Sequence, residues 1–199
     1  MTPKERVAAA VDRWGEDEVV SRCAATLQTD GSTVVTGDLL DLAMVLGSVT
    51  DRDWMAEGKP PGHAYWARVW AARALRYVWS ERAAGAVVHT LADEQWRVRE
   101  MAARVVADRQ LGEAVPQLVE RTTDEVPRVR GAAVRALAVV GEGEHIELVG
   151  ELVDDPEEVV AAAAQAALDQ LVRRLDRPQG VPRGSPARTA PHVTGVSRG

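Results

Sequence analysis

The sequence predicts an all-α protein built as a solenoid of stacked helix pairs. Three observations carry this prediction: a gapless 31-residue internal repeat, an alanine-rich composition, and apolar residues recurring at helical spacing. The repeat is the strongest of the three. ARVWAARAL at 67–75 realigns on VREMAARVV at 98–106, on VRGAAVRAL at 129–137 and on VAAAAQAAL at 160–168. In this frame Arg68, Arg99 and Arg130 coincide, as do Arg73, Arg104 and Arg135. Upstream, Asp93, Asp124 and Asp155 coincide as well. A fixed period of this length marks a repeat architecture. Alanine adds the best intrinsic helix propensity, and its small side chain lets helices pack closely.

The elements follow in order. Pro3–Trp14 and Glu16–Gln28 read as helices with VAAAV and VVSRCAATL on their apolar faces, and 29–33 reads as a turn. Gly37–Gly47 reads as a further helix, expected to serve as the first helix of the opening unit. Residues 49–62 read as a loop holding Trp54 and the breaker run GKPPG. That loop exceeds the usual connection of a few residues, as functional loops often do, and the competing reading is an insertion that packs over the open end of the stack. Residues 1–61 are thus a helical cap and loop, and the repeats run over 62–175.

Each unit has a shorter first helix, anchored at Ala84, Val87 and Leu91, at Val115, Leu118 and Thr122, and at Ile146, Val149 and Val153. That spacing is helical. A turn carrying the aspartate and a longer second helix follow. Gly112, Gly141 and Gly143 mark joints, and Pro127 and Pro156 fall where a first helical turn tolerates proline. Neither helix buries its stripe alone, whereas stacking makes a continuous core. From 176 to 199 the chain becomes rich in Pro, Gly, Ser and Arg, and a disordered basic tail is expected. From Arg177 onward there are four arginines and no acid, which leaves residues 1–176 with a charge of −10.

Composition narrows the function classes. The 199 residues allow one domain, or two small ones. With 24 basic and 30 acidic residues the net charge is −6, which disfavours a dedicated nucleic-acid binder. The single cysteine, Cys23, excludes an internal disulfide and a multi-cysteine metal site, and it fits a reducing compartment. It reads as a small buried residue rather than a nucleophile. With no apolar run of membrane length and no apolar signal core in MTPKERVAAAVDRWGEDE, a cytoplasmic protein with no membrane association is expected. The absence of Phe, with Lys only at 4 and 59, matches GC-rich codons and a bacterial source.

A short helix, an Asp, then Val-Arg-x-x-Ala-Ala-x-x-Leu resembles HEAT repeats, in the short bacterial form called phycobilin-lyase-type HEAT-like repeats. The resemblance covers roughly 62–175. It implies an armadillo-like, right-handed α-α superhelix whose second helices line a concave surface. It also implies a structural ladder between units, built from an Asp and an Arg six residues apart: Asp93 and Arg99, Asp124 and Arg130. The last unit has Asp155 but Ala161 in the arginine position, so the ladder should end there.

The second arginine row points elsewhere. Taking 100° per residue from Val98, Met101, Ala102 and Val105 face the core, and Arg97, Glu100, Arg104 and Asp108 fall opposite. The 31-residue shift adds Trp66, Arg73 and Tyr77 from the opening unit, and Arg128 and Arg135 from the next. Trp66, Arg73, Tyr77, Arg97, Arg104 and Arg135 then form one expected partner-binding ridge, in the residue types most enriched at hot spots. The competing reading makes Glu100, Arg104 and Asp108 a solvated ion-paired face and lets N-terminal helices cover Trp66. Trp70 takes the Met101 position and belongs to the core.

Four scattered histidines form no HExxH, and Glu144-His145 is a single pair, reversed from the His-Glu pairs of HEAT-like deoxyhypusine hydroxylases. No catalytic residue, metal site or cofactor is assigned. The expected function is a non-enzymatic protein–protein interaction scaffold or adaptor that binds a partner in the concave groove of the solenoid. The alternatives are an accessory enzyme or subunit resembling HEAT-like bilin lyases, and nucleic-acid binding through the basic tail.

Overall fold

The structure, a computed structural model, describes residues 1–30, 35–51 and 64–176. Among them the secondary structure is helical throughout: α1 Pro3–Trp14, α2 Glu16–Leu27, α3 Gly37–Gly47, α4 Tyr65–Ala74, α5 Ala84–Thr90, α6 Trp96–Arg109, α7 Val115–Arg121, α8 Pro127–Val140, α9 Ile146–Glu151 and α10 Glu158–Leu175. Trp54 with most of the 49–62 loop, and the tail from 177 onward, lie outside the described residues.

The second helices α4, α6, α8 and α10 pack side by side in sequence order, and α5, α7 and α9 each pack against the second helix that follows. Period and burial explain the stacking. Ala71, Ala102, Ala133 and Ala164 occupy one register, and none is more than 1% exposed. A methyl group at each of these positions lets adjacent second helices approach closely. The first helices contribute Val87, Leu118 and Val149, all fully buried. These helices are short, six or seven residues, too short to persist alone in water. Burial of one apolar stripe holds them. Thr122 stands where the preceding unit has Leu91, and its hydroxyl donates to the Val119 carbonyl at 2.7 Å, so the buried oxygen is satisfied.

The N-terminal helices join the same core, which runs without interruption from Val7 to Ala167. The α1 start is fixed by a capping box: the Glu5 amide donates to Thr2 Oγ1, and the Thr2 amide donates to the Glu5 carboxylate. The place of the opening unit's first helix belongs to α2, not to α3 as the sequence suggests. α2 packs against both α4 and α5, whereas α3 lies on α1, α2 and α4. Val19, Val20, Cys23 and Leu27 give α2 a buried stripe, and the long connection after α3 lets that helix close the end of the stack. Gly47 is essential to that closure, because a Cβ there would land on the Trp70 ring. The indole is consequently only 8% exposed.

Candidate functional site

The first arginine row is an ion-pair ladder that runs through the turns between helices. Arg68 Nε and Nη2 donate to the two carboxylate oxygens of Asp93 at 2.7 and 3.2 Å. Arg99 makes the same fork to Asp124 at 2.7 and 2.9 Å, and Arg130 to Asp155 at 2.7 and 2.8 Å. Each fork spans 25 residues and joins one second helix to the turn of the next unit. The six-residue spacing has a different meaning. Arg99 Nη1 donates to the backbone carbonyls of Asp93 and Glu94, and Arg130 Nη1 donates to that of Asp124. One guanidinium thus ties its own turn to the following one, a use of five fixed donors that lysine could not reproduce.

The aspartates complete the ladder by accepting backbone amides two residues on: Gln95 to Asp93, Val126 to Asp124, Glu157 to Asp155, all at 2.8–2.9 Å. These bonds orient the start of each second helix. Burial works to raise the Asp124 pKa, but the Arg99 fork, the Val126 amide and the nearby Arg99 and Arg121 charges outweigh it and hold it below the ordinary carboxylate value. At Asp155 the Arg130 fork has the largest effect, and the pKa is again lowered.

The second arginine row is placed differently. Arg73, Arg104 and Arg135 lie on successive second helices, half-exposed or exposed. Around Arg104 and Arg135 the surface forms two adjoining clefts. One, of about 220 Å³, is lined by Glu100, Arg104, Pro127, Arg128, Gly131, Arg135 and Val159. The other, of about 340 Å³, is lined by Arg76, Arg104, Ala107, Asp108, Ala132 and Arg135. Burial is the first cause lowering the Arg135 pKa, and the neighbouring Arg104 charge adds to it. A guanidinium remains charged under any such shift.

The six residues of the proposed ridge do not form one open row. Arg97 sits over the Trp66 ring at 5.5 Å and over the Trp96 ring at 4.3 Å, and Arg128 also sits over the Trp96 ring, at 5.5 Å. Trp66 also stacks on Tyr65 and Trp70. Trp66 and Arg97 are thereby engaged with each other rather than free. At the other end, Tyr77, 45% exposed, shares a cleft with Val7, Ala8 and Val11 of α1, and Arg73 feels the charge of Arg6 from the same helix. Glu100 differs from the helical-wheel expectation of an outward residue. It is 6% exposed because Arg104 at 2.7 Å and Arg128 at 3.2 Å close over it. Trp96 is the residue that sequence reasoning missed. It precedes the repeated Val-Arg and coincides with Tyr65 and Pro127 in the 31-residue frame, which was its only signal.

Among the described residues no group of His, Cys, Asp and Glu is arranged to hold a metal, and no helix is long and apolar enough to cross a membrane. Burial raises the Cys23 thiol to about 12, far from the thiolate character a nucleophile needs.

No curated protein matches the chain. A crystal structure of an engineered protein is similar over 87% of this chain and 86% of that one, with 19% identity and a TM-score of 0.49. The family model for HEAT repeats matches residues 63–138 and again 86–169. The matched span covers more than half of the sequence and contains the ladder and both arginine clefts, so the chain belongs to the HEAT repeats.

Proposed function

We propose that the protein is a non-enzymatic interaction scaffold that holds a segment of a partner protein in the concave groove, against the face of its second helices that carries Arg73, Arg104 and Arg135. The observation that carries this reading is the division of labour between the two arginine rows. Arg68, Arg99 and Arg130 are consumed by the fold. Arg104 and Arg135 are presented around two adjoining clefts, and the fold makes little use of them. Arg73 and Tyr77 extend the surface toward α1, while Trp66 and Arg97 close its aromatic end. Arginine and aromatic side chains at well-packed positions carry a disproportionate share of binding energy.

Peptide display on the full chain, with Arg104→Ala as counter-target, tests the reading. The expected ligands are retained by the parent and lost by the variant, whose melting temperature stays within a few degrees of the parent. Recovery of the same ligands on both proteins would remove the second-helix face from consideration and direct attention to the 49–62 loop.

A further inference from the structure

The arginine row has fewer counter-ions than charges, and the deficit has a specific cause. In α6, Arg104 pairs with Glu100 one turn earlier at 2.7 Å. The 31-residue frame puts Gly131 in the corresponding position of α8 and Val69 in that of α4. Arg135 and Arg73 consequently have no own-helix carboxylate, and among the described residues neither has an ion-pair partner. The missing side chain also makes space. The Arg135 guanidinium folds over the α8 backbone, 3.3 Å from where a Gly131 Cβ would stand. Glu100 accepts from Arg104 of its own helix and from Arg128 of α8, and Arg135 feels its charge without forming an ion pair with it.

We infer that this row is a subsite series for carboxylates on an extended partner segment, with one acid at every third residue. The inference rests on the second-helix face being the binding face. Its geometry follows from two periods. Neighbouring packed helices stand about 8–10 Å apart, which sets the step between successive arginines. A polyproline II segment rises about 3.1 Å per residue with three residues per turn, so every third side chain returns to one face after about 9.3 Å. Acids at that spacing meet Arg135, then Arg104, then Arg73, as charge-assisted pairs. Contiguous acids cannot, because two of every three point away.

Gly131→Glu is the discriminating variant. It keeps every arginine and restores to Arg135 the intrahelical partner that Arg104 has. Replacing a mid-helix glycine favours helix, and the nearest atoms a Cβ would meet belong to the end of the flexible Arg135 side chain. The probe is a fluorescein-labelled peptide of three Glu-Pro-Ala triplets, titrated by anisotropy against the full chain. Comparators are the same peptide with Gln for Glu, and one of equal composition with its three Glu contiguous. The triplet peptide should bind the parent at least about tenfold more tightly than either comparator. Gly131→Glu should lose about tenfold, and Gly131→Ala should remain within about threefold. Should Gly131→Glu fail to fold, Arg135→Gln at an exposed position carries the same expectation. Equal affinity for the contiguous peptide, no binding of the triplet peptide, an unaffected folded Gly131→Glu, or stronger competition from a phosphate polymer than from the Glu peptide would each overturn the inference. Displayed ligands lost on Arg104→Ala yet lacking spaced acids would overturn it while leaving the second-helix face in place.

Discussion

Arg99→Ala should be among the most damaging surface-to-core truncations in this protein, although arginine is usually a surface residue. The side chains of Arg99 and Asp124 are only 7% and 3% exposed. Truncation leaves the Asp124 carboxylate buried with the Val126 amide and a distant Arg121 at 3.9 Å. It also removes the donor to two backbone carbonyls. Breaking a buried pair from one side costs about 3–5 kcal/mol, and the remaining partners of Asp124 place this case near 3. At roughly 2–4 °C per kcal/mol for a chain of this size, the melting midpoint should fall by about 6–12 °C. Arg104→Ala is the matched control. Its side chain is 40% exposed, and Glu100 keeps Arg128, so the loss should stay within about 1 kcal/mol. Calorimetry of both variants, with the Arg99→Ala/Asp124→Ala double variant recovering part of the loss, measures the coupling directly. Equal midpoints for Arg99→Ala and Arg104→Ala would refute the assignment of the ladder to the fold.

Other consequences are equally open to measurement. Asp124 and Asp155 have folded pKa values lowered below the ordinary carboxylate value, so their stabilisation is complete above the unfolded value of about 3.9 and is lost as pH falls through the lower folded values. Asp124→Asn should therefore melt lower than the parent at pH 7 and show a flatter midpoint–pH profile between about pH 5 and 2. The Cys23 thiol, fully buried and raised to about 12, should react with a disulfide reagent only as the protein unfolds; fast stoichiometric labelling of the native protein would contradict its placement. Gly47→Ala, although alanine favours helix, should destabilise by about 1–3 kcal/mol through overpacking and shift the tryptophan emission, because the new methyl meets Trp70.

Much of this architecture is legible in the sequence because the repeat writes the same physical demands at the same offsets. Ala71, Ala102, Ala133 and Ala164 report the close contact between second helices, and the repeated Asp and Arg report the ladder. What the sequence hides is which copies meet. An Asp and an Arg six apart invite a local pair, whereas the side chains that join are 25 residues apart, because the rest of a second helix and the whole of the next first helix separate an arginine from the turn it reaches. Glu100 reads as a surface residue on a helical wheel, yet two arginines from different helices bury it. The role of α3 is hidden for a similar reason. Its apolar run fits a first helix as well as a cap, and the packing of α2 against both α4 and α5, where α3 reaches only α4, distinguishes them. The glycine at 131 is visible in the repeat frame, but its consequence depends on Arg135 having no other partner in space.

The separation of the two arginine rows can be measured in one experiment. Arginine side-chain Nε–Hε resonances in a ¹⁵N-labelled sample report each guanidinium individually. Arg68, Arg99 and Arg130 should give slowly exchanging signals that remain fixed when the triplet-Glu peptide is added. Arg104 and Arg135 should exchange rapidly in the free protein and shift on titration. Peptide-dependent shifts confined to Arg68, Arg99 and Arg130, or equal exchange protection across both rows, would contradict the division between arginines that hold the fold and arginines that meet a partner.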